Sequence, residues 1–173
     1  MQSVMIESLE SRRLLSATMG LSNGVLYVAG TSGPDTLTAS ENGGLVTLDL
    51  NGHSQTFDTH LFSQLNIHMG GGNDTVLLGS IVDRPAQIWM GGGDDYARGT
   101  GMADVIHGGA GNDTLYGAGG DDMMYAGTGN NMLYGNTGND TLHGMTGSDQ
   151  MNGGPGQNSM MWKTGMNGGM LLR

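Results

Sequence analysis

Six aspartates of this chain stand in one arithmetic series. Asp95, Asp104, Asp113, Asp122, Asp140 and Asp149 fall at multiples of nine residues, and Asn131 fills the single gap. Each ends a glycine-rich run, so each carboxylate is delivered from a turn with main-chain carbonyls close by. That is hard-oxygen chemistry, suited to calcium with its six to eight oxygen ligands. The wider composition agrees. Aspartate outnumbers glutamate 13 to 3, whereas solvated helix faces favour glutamate. Cysteine is absent, which removes thiolate zinc sites and disulfide frameworks and leaves the redox compartment open. A net charge of -10 repels nucleic acid and anionic membrane surfaces and attracts cations. No apolar run approaches the roughly 20 residues of a membrane span. Calcium is therefore the expected partner, with neither nucleic-acid binding nor membrane insertion.

The elements that position these aspartates repeat with them. Glycine occupies 34 of 173 positions, and from Met90 the chain divides without a gap into nine-residue units: MGGGDDYAR, GTGMADVIH, GGAGNDTLY, GAGGDDMMY, AGTGNNMLY, GNTGNDTLH, GMTGSDQMN and GGPGQNSMM. Positions one to six must turn tightly and aim carbonyl oxygens at one point, which needs backbone angles that glycine tolerates. The candidate ligand turns are carried by Gly91, Gly93, Gly99, Gly101, Gly108, Gly109, Gly111, Gly117, Gly119, Gly120, Gly127, Gly129, Gly135, Gly138, Gly144 and Gly147. Positions seven to nine form a strand so short that alternation sends only position eight inward. Those residues are Ala97, Ile106, Leu115, Met124, Leu133, Leu142, Met151 and Met160, every one apolar. A core one residue wide cannot hold stacked coils together unaided. Coils about 4.8 Å apart bring carboxylates into repulsion, and calcium removes that repulsion and bridges the coils, so metal binding and folding become one event.

The units resemble the RTX, or hemolysin-type, calcium-binding repeat GGxGxDxUx, and the resemblance covers about Met69 to Met161. It implies a parallel β-roll in which two nonapeptides complete one 18-residue coil, with several calcium ions between turns of adjacent coils on the same side. The chain also departs from the pattern. Asn131 and Asn158 replace the position-six aspartate, Met102 replaces the fourth glycine, and Met69 and Met90 replace the first. Ile67 to Asp74 matches Ile88 to Asp95 at a spacing of 21 rather than 18. This adds Asp74 to the candidate ligands and implies one longer coil, containing a turn at Asp83-Arg84-Pro85 that has lost its metal. Trp162 to Met170 is a ninth unit, with Asn167 at position six, and reads as a terminal cap.

Residues 1–20 read as a leader or targeting-like segment without the apolar centre of an ordinary signal peptide. Leu9 to Leu15 resembles the LEPR-XLL segment of planctomycete-type surface proteins, with Ser11 in place of the proline, and Ser11-Arg12-Arg13 resembles a twin-arginine signal. Residues 21–68 carry short β-like runs at Val25–Ala29, Leu45–Leu50, Gln55–Phe57 and Leu65–Met69, and Gly30 to Thr38 is a loose copy of the nonapeptide. This stretch is expected to be an irregular β cap, and residues 69–173 the calcium-binding β-roll.

Other chemistries fit the residues less well. Gly20-Leu21-Ser22-Asn23-Gly24 satisfies GxSxG, but a nucleophile elbow needs a strand, a helix and a large α/β domain around it, so the chain is not expected to be an enzyme; a remnant of an RTX enzyme is an alternative. His107 and His143 share position nine two coils apart, with Tyr125 between them, too far to share a zinc ion. An outward ladder of Trp89, His107, Tyr125 and His143, with Tyr116 and Tyr134 on the other sheet, accounts for them better. The 15 methionines suit an irregular core more than copper. Thr128, Thr146 and Thr164, with Asn130 and Ser148, resemble the rows of ice-binding RTX domains, which leaves a repetitive-ligand module, ice-like or glycan, as a further alternative. The reading is an all-β, parallel β-roll with a secreted or cell-surface, structural or adhesive role, and a cell-surface or matrix partner that the sequence does not identify.

Overall fold

Glycine pairs recurring every nine residues interrupt the chain too often for helices, and the computed structural model, which describes residues 17–79, 82–162 and 170–172, is built from strands. The first five are β1 (Thr18–Ser22), β2 (Val25–Ala29), β3 (Thr36–Asn42), β4 (Leu45–Leu50) and β5 (His53–Asp58). One 3-10 turn, Thr59–Leu61, leads into β6 (Gln64–Gly71), β7 (Thr75–Leu77), β8 (Ala86–Gly92) and β9 (Tyr96–Arg98). The regular coils follow as β10 (Val105–Ala110), β11 (Thr114–Gly119), β12 (Met123–Thr128), β13 (Met132–Thr137), β14 (Thr141–Gly144), β15 (Gln150–Asn152), β16 (Ser159–Trp162) and β17 (Met170–Leu172). The LEPR-XLL-like segment, the twin arginines, Thr164 and Asn167 lie outside the described residues.

From β6 onward, alternate strands go to opposite sheets. One sheet has the order β1-β2-β6-β8-β10-β12-β14-β16, the other β17-β15-β13-β11-β9-β7-β3-β4-β5. All described pairings from β6 and β7 onward are parallel, so the chain is a stacked series of coils, a parallel β-solenoid with 18-residue turns. Position eight stays in register through Ile88, Ile106, Met124, Leu142 and Met160 on one sheet and Ala97, Leu115, Leu133 and Met151 on the other.

The stack starts before the regular repeat. Val28 pairs with Ile67, and Leu37 with Val76, so β2 and β3 form the first coil and the turn between them, Gly30 to Asp35, is its glycine-rich corner. The hairpin strands β4 and β5 then extend one sheet antiparallel from β3, and β1 extends the other from β2. These strands lie beside the first coil on both sheets. Ile67 pairs with Ile88, which keeps the coil with the 21-residue interval in register. Its extra residues bury Leu78 and Val82, and Arg84 donates to the carbonyls of Phe62 and Thr59, each at 3.2 Å. Ala86 occupies position six there, so this corner offers no carboxylate.

The core is wider than the alternation of a three-residue strand allows. The middle strands run six residues, through positions seven to nine and on into positions one to three, with the burial pattern of β10 alternating inward at Ile106 and Gly108. Position eight is therefore not the only inward position. Position one also faces inward, as Met69, Met90 and Ala126, all fully buried, or as glycine. The position-six side chain turns inward as well. The reason is that in β10 to β13 positions one to three still hydrogen-bond as strand, so the turn there is confined to positions four and five.

This arrangement predicts unequal costs for two truncations on the paired strands β11 and β13 of neighbouring coils. In saturating calcium, Leu115→Ala, at a fully buried site, should lower stability by about 2–5 kcal/mol in denaturant unfolding. Met132→Ala, at an exposed position seven, should change it by about 0.5 kcal/mol or less.

Candidate metal centre

The position-six side chains form two buried ladders, one on each edge of the coil stack. On the first edge each main-chain N–H donates to Oδ1 of the next coil's residue: Asp35 to Asp74 at 2.8 Å, Asp74 to Asp95 at 2.8 Å, Asp95 to Asp113 at 3.0 Å, Asp113 to Asn131 at 2.7 Å and Asn131 to Asp149 at 3.0 Å. The second edge runs from Ala86 to Asp104 at 2.7 Å, Asp104 to Asp122 at 2.8 Å, Asp122 to Asp140 at 3.0 Å and Asp140 to Asn158 at 2.8 Å. The following main-chain group binds in the opposite sense, with the Met123 N–H on the Asp104 carbonyl at 2.9 Å and the Thr141 N–H on the Asp122 carbonyl at 2.8 Å. Each aspartate thus ties three successive levels of the stack.

One oxygen of each carboxylate is spent in this way. The other, Oδ2, is buried without a hydrogen-bond partner in Asp74, Asp95, Asp113, Asp122 and Asp140. These residues are 1–3% exposed, and an ionised carboxylate so placed is costly. Burial is the main cause pushing their carboxyls up: Asp122 to about 8, with the charges of Asp104 and Asp140 adding to it, and Asp74 and Asp113 to about 6. Asp95 and Asp140 are raised for the same first reason. Asp104 also rises to about 6, against the lowering effect of its hydrogen bonds to Ala86 and Thr100.

The glycines fall into classes with different physical demands. At position one the demand is space: a Cβ on Gly99, Gly108, Gly117 or Gly135 would overlap Oδ2 of Asp104, Asp113, Asp122 or Asp140 respectively, and one on Gly144 would lie 2.9 Å from Oδ2 of Asp149. At Gly117 the carbonyl of Gly135, on the next coil, reaches the same spot at 2.8 Å, and at Gly135 the carbonyl of Gly153 does so at 2.7 Å. At positions two and four the demand is conformation. Gly91, Gly93, Gly109, Gly111, Gly127, Gly129, Gly147, Gly120 and Gly138 all have φ between 90° and 140°, a region open to glycine and strained for other residues. A Cβ on Gly119, at position three, would come no nearer than 3.3 Å to any neighbour, the Thr137 hydroxyl, and neither it nor Gly101 has positive φ.

These corners fit a calcium ion. The corners of Asp113, Asp122 and Asp140 each offer an orphaned carboxylate oxygen, a cradle kept clear of side chain by glycine at position one, and a carbonyl oxygen of the next coil, while those of Asp74 and Asp95 offer the orphaned oxygen beside Met69 and Met90. Among the described residues no three carboxylates or imidazoles converge on one point, so an ion held here takes most of its ligands from main-chain carbonyls. Met69, Met90 and Ala126 send a side chain inward at position one instead, and Asn131 and Asn158 carry no charge.

A second ladder has no counterpart in the sequence reading. Position-five side chains accept N–H groups from the following coil in the opposite direction, as in Asn112 on Asp94 at 2.7 Å, Asn130 on Asn112 at 2.9 Å, Ser148 on Asn130 at 2.8 Å and Asn139 on Asp121 at 2.8 Å. The signal was the run of Asp, Asn and Ser at position five. Asn130 and Ser148 are held in this axial ladder. Outside, the expected aromatic stack is longer than its four rings: His68 lies on Trp89 at 4.2 Å, and the series continues through His107, Tyr125 and His143 at 4.7–5.6 Å. Tyr96 joins Tyr116 and Tyr134 on the other sheet. Ser22 of the GxSxG match ends β1 in a hairpin with β2, not in a strand-to-helix elbow.

With that geometry in view, a comparison with known families identifies the repeat. The family model described as RTX calcium-binding nonapeptide repeat (4 copies) matches residues 89–124 and again 125–160. Residues 89–160 carry RTX repeats of the calcium-binding type. No curated protein and no solved structure gives a significant match. The RTX match begins at Trp89, so the turns ending at Asp35 and Asp74 lie outside it and are joined to it by the hydrogen-bonded ladder and by strand pairing.

Metal-free RTX coils should respond to acid with a definite sign. The folded carboxyls lie above the ordinary value of 3.8, so their protonated forms favour the folded state. That stability is fully present below about pH 4 and is lost as pH rises through about 6 to 8. In excess chelator, β structure measured by circular dichroism should therefore grow as pH falls from about 8 to about 4, and added calcium should replace the need for acid at pH 8.

Proposed function

We propose that this chain is a secreted or cell-surface β-roll with a structural or adhesive role, whose central coils fold when calcium binds between successive corners. The observation that carries the reading is the pair of buried carboxylate ladders with unpartnered Oδ2 atoms, set in a repeat of a calcium-binding family. A cation supplies what the protein lacks there: it offsets the charge of stacked carboxylates and joins carbonyls of neighbouring coils. Ligands are Asp74, Asp95, Asp113, Asp122 and Asp140, with carbonyls of the glycine-rich turns. Residues 21–68 act as the N-terminal cap of the roll and 69–173 as its calcium-dependent body. Extracellular calcium modules work at about 10⁻⁴ to 10⁻³ M, which suits a protein unfolded before export and folded outside the cell. The stiff outward ring stack from His68 to His143 supports a structural or adhesive use.

Affinity at such sites follows the number of charged ligands, and the ladders are unequal. Asp122 adjoins the charged ligand Asp140, and Asp95 stands between Asp74 and Asp113, whereas Asp149 adjoins Asn131. In a calcium titration of the chelator-treated chain followed by circular dichroism, Asp122→Ala should raise the folding midpoint clearly more than Asp149→Ala, and Asn131→Asp should lower it. Equal midpoints for the two alanine variants would contradict the pairing between coils.

A further inference from the structure

The corners that depart from the repeat are not simply weakened metal sites. Gly30-Thr31-Ser32-Gly33-Pro34-Asp35 and Gly99-Thr100-Gly101-Met102-Ala103-Asp104 share one unusual feature, threonine at position two, and they share one geometry. In the first, the Thr31 N–H and hydroxyl donate to Asp35 Oδ2 at 2.6 and 3.0 Å, while Gly33 N–H donates to the same hydroxyl at 3.1 Å. In the second, the Thr100 N–H donates to Asp104 Oδ2 at 2.6 Å, its hydroxyl lies 2.9 and 3.1 Å from the two carboxylate oxygens, and Met102 N–H donates to the hydroxyl at 3.1 Å. Neither threonine has positive φ, which is what turns the position-two N–H toward the carboxylate. In the corners of Asp113 and Asp122, Gly109 and Ala118 have φ of 110° and 89°, and Oδ2 is left without a partner.

We propose that the Thr31–Asp35 and Thr100–Asp104 corners are calcium-free rungs, in which threonine takes the place of the ion and closes each row of calcium-binding turns at its N-terminal end. The inference rests on the calcium-binding reading above. Where Oδ2 already accepts an N–H and an O–H, its lone pairs are taken up by the threonine's hydrogens and are not free for a cation. The placement fits this role. Asp35 is the first carboxylate of one row and Asp104 the first of the other, after Ala86. At the other end, among the described rungs, protein groups also take up the side chains: the Met145 N–H donates to Asp149 Oδ2 at 3.0 Å, and the Asn158 amide donates to the Gly154 carbonyl at 2.8 Å. The five orphaned carboxylates all lie between these ends. The rows thus begin on coils that need no metal, from which calcium-dependent coils can propagate by nearest-neighbour contact.

The test is the number of calcium ions bound per full-length chain at saturation, measured by equilibrium dialysis, for the wild type and matched variants. Asp35→Asn and Asp104→Asn should keep the wild-type number, and Asp122→Asn should lower it. Restoring glycine in the second corner, Thr100→Gly with Met102→Gly, should raise the number by one, and this variant decides the matter if Asp104→Asn does not fold. Loss of as many ions in Asp104→Asn as in Asp122→Asn, or an unchanged number in the glycine variant, would overturn the proposal while leaving the calcium reading standing. A wild type that binds no calcium would overturn both.

Discussion

The structure depends on a divided carboxylate. In each regular corner one oxygen of a buried aspartate accepts the main-chain N–H of the neighbouring coil's equivalent residue, and the other faces a cradle that holds no donor. The first half of this arrangement sets the coil spacing and register, because every position-six side chain measures the distance to the coil before it. The second half makes the arrangement expensive in water without a cation, since desolvation and the neighbouring carboxylates both oppose ionisation. Register and metal demand therefore come from one side chain.

The remaining features follow from keeping that side chain where it is. Glycine at position one leaves room for Oδ2, and glycine at positions two and four gives the corner its left-handed backbone. Position eight and the inward residues at position one fill the space between the two sheets. Axial ladders of position-five amides and of position-nine rings run along the outside, so each coil is tied to the next by hydrogen bonds, stacking and, at the corners, the ion. Stability in such a stack is a sum of coil and interface terms, and removing one interface term at the centre is felt on both sides of it.

Much of this is visible in the chain before folding because the nine-residue period is strict. It places the aspartates in corners, Leu115 and Ile106 inside, and Trp89, His107, Tyr125 and His143 in one outward file. What the pattern hides has physical causes. Position one is usually glycine, which adds no apolar side chain to a count, so an inward row there leaves little trace except at Met69, Met90 and Ala126. A buried aspartate carries the same letter as an exposed one, and only coordinates show that Asp122 is part of the interior. His68 escapes the nine-residue count because the 21-residue interval separates it from Trp89, although stacking restores it to the file. Thr100 looks like loss of a glycine in one dimension and becomes a hydrogen-bonded closure in three.

The central claim is that calcium, rather than apolar packing, holds the central coils closed, and amide hydrogen exchange at the position-six N–H groups tests it most directly. Exchange is followed at pH 7 for the full chain in millimolar calcium and again in excess chelator. The account predicts strong protection of the Asp104, Asp113 and Asp122 amides with calcium, and its loss by several orders of magnitude in chelator. Protection of these amides that is the same in both conditions would contradict it.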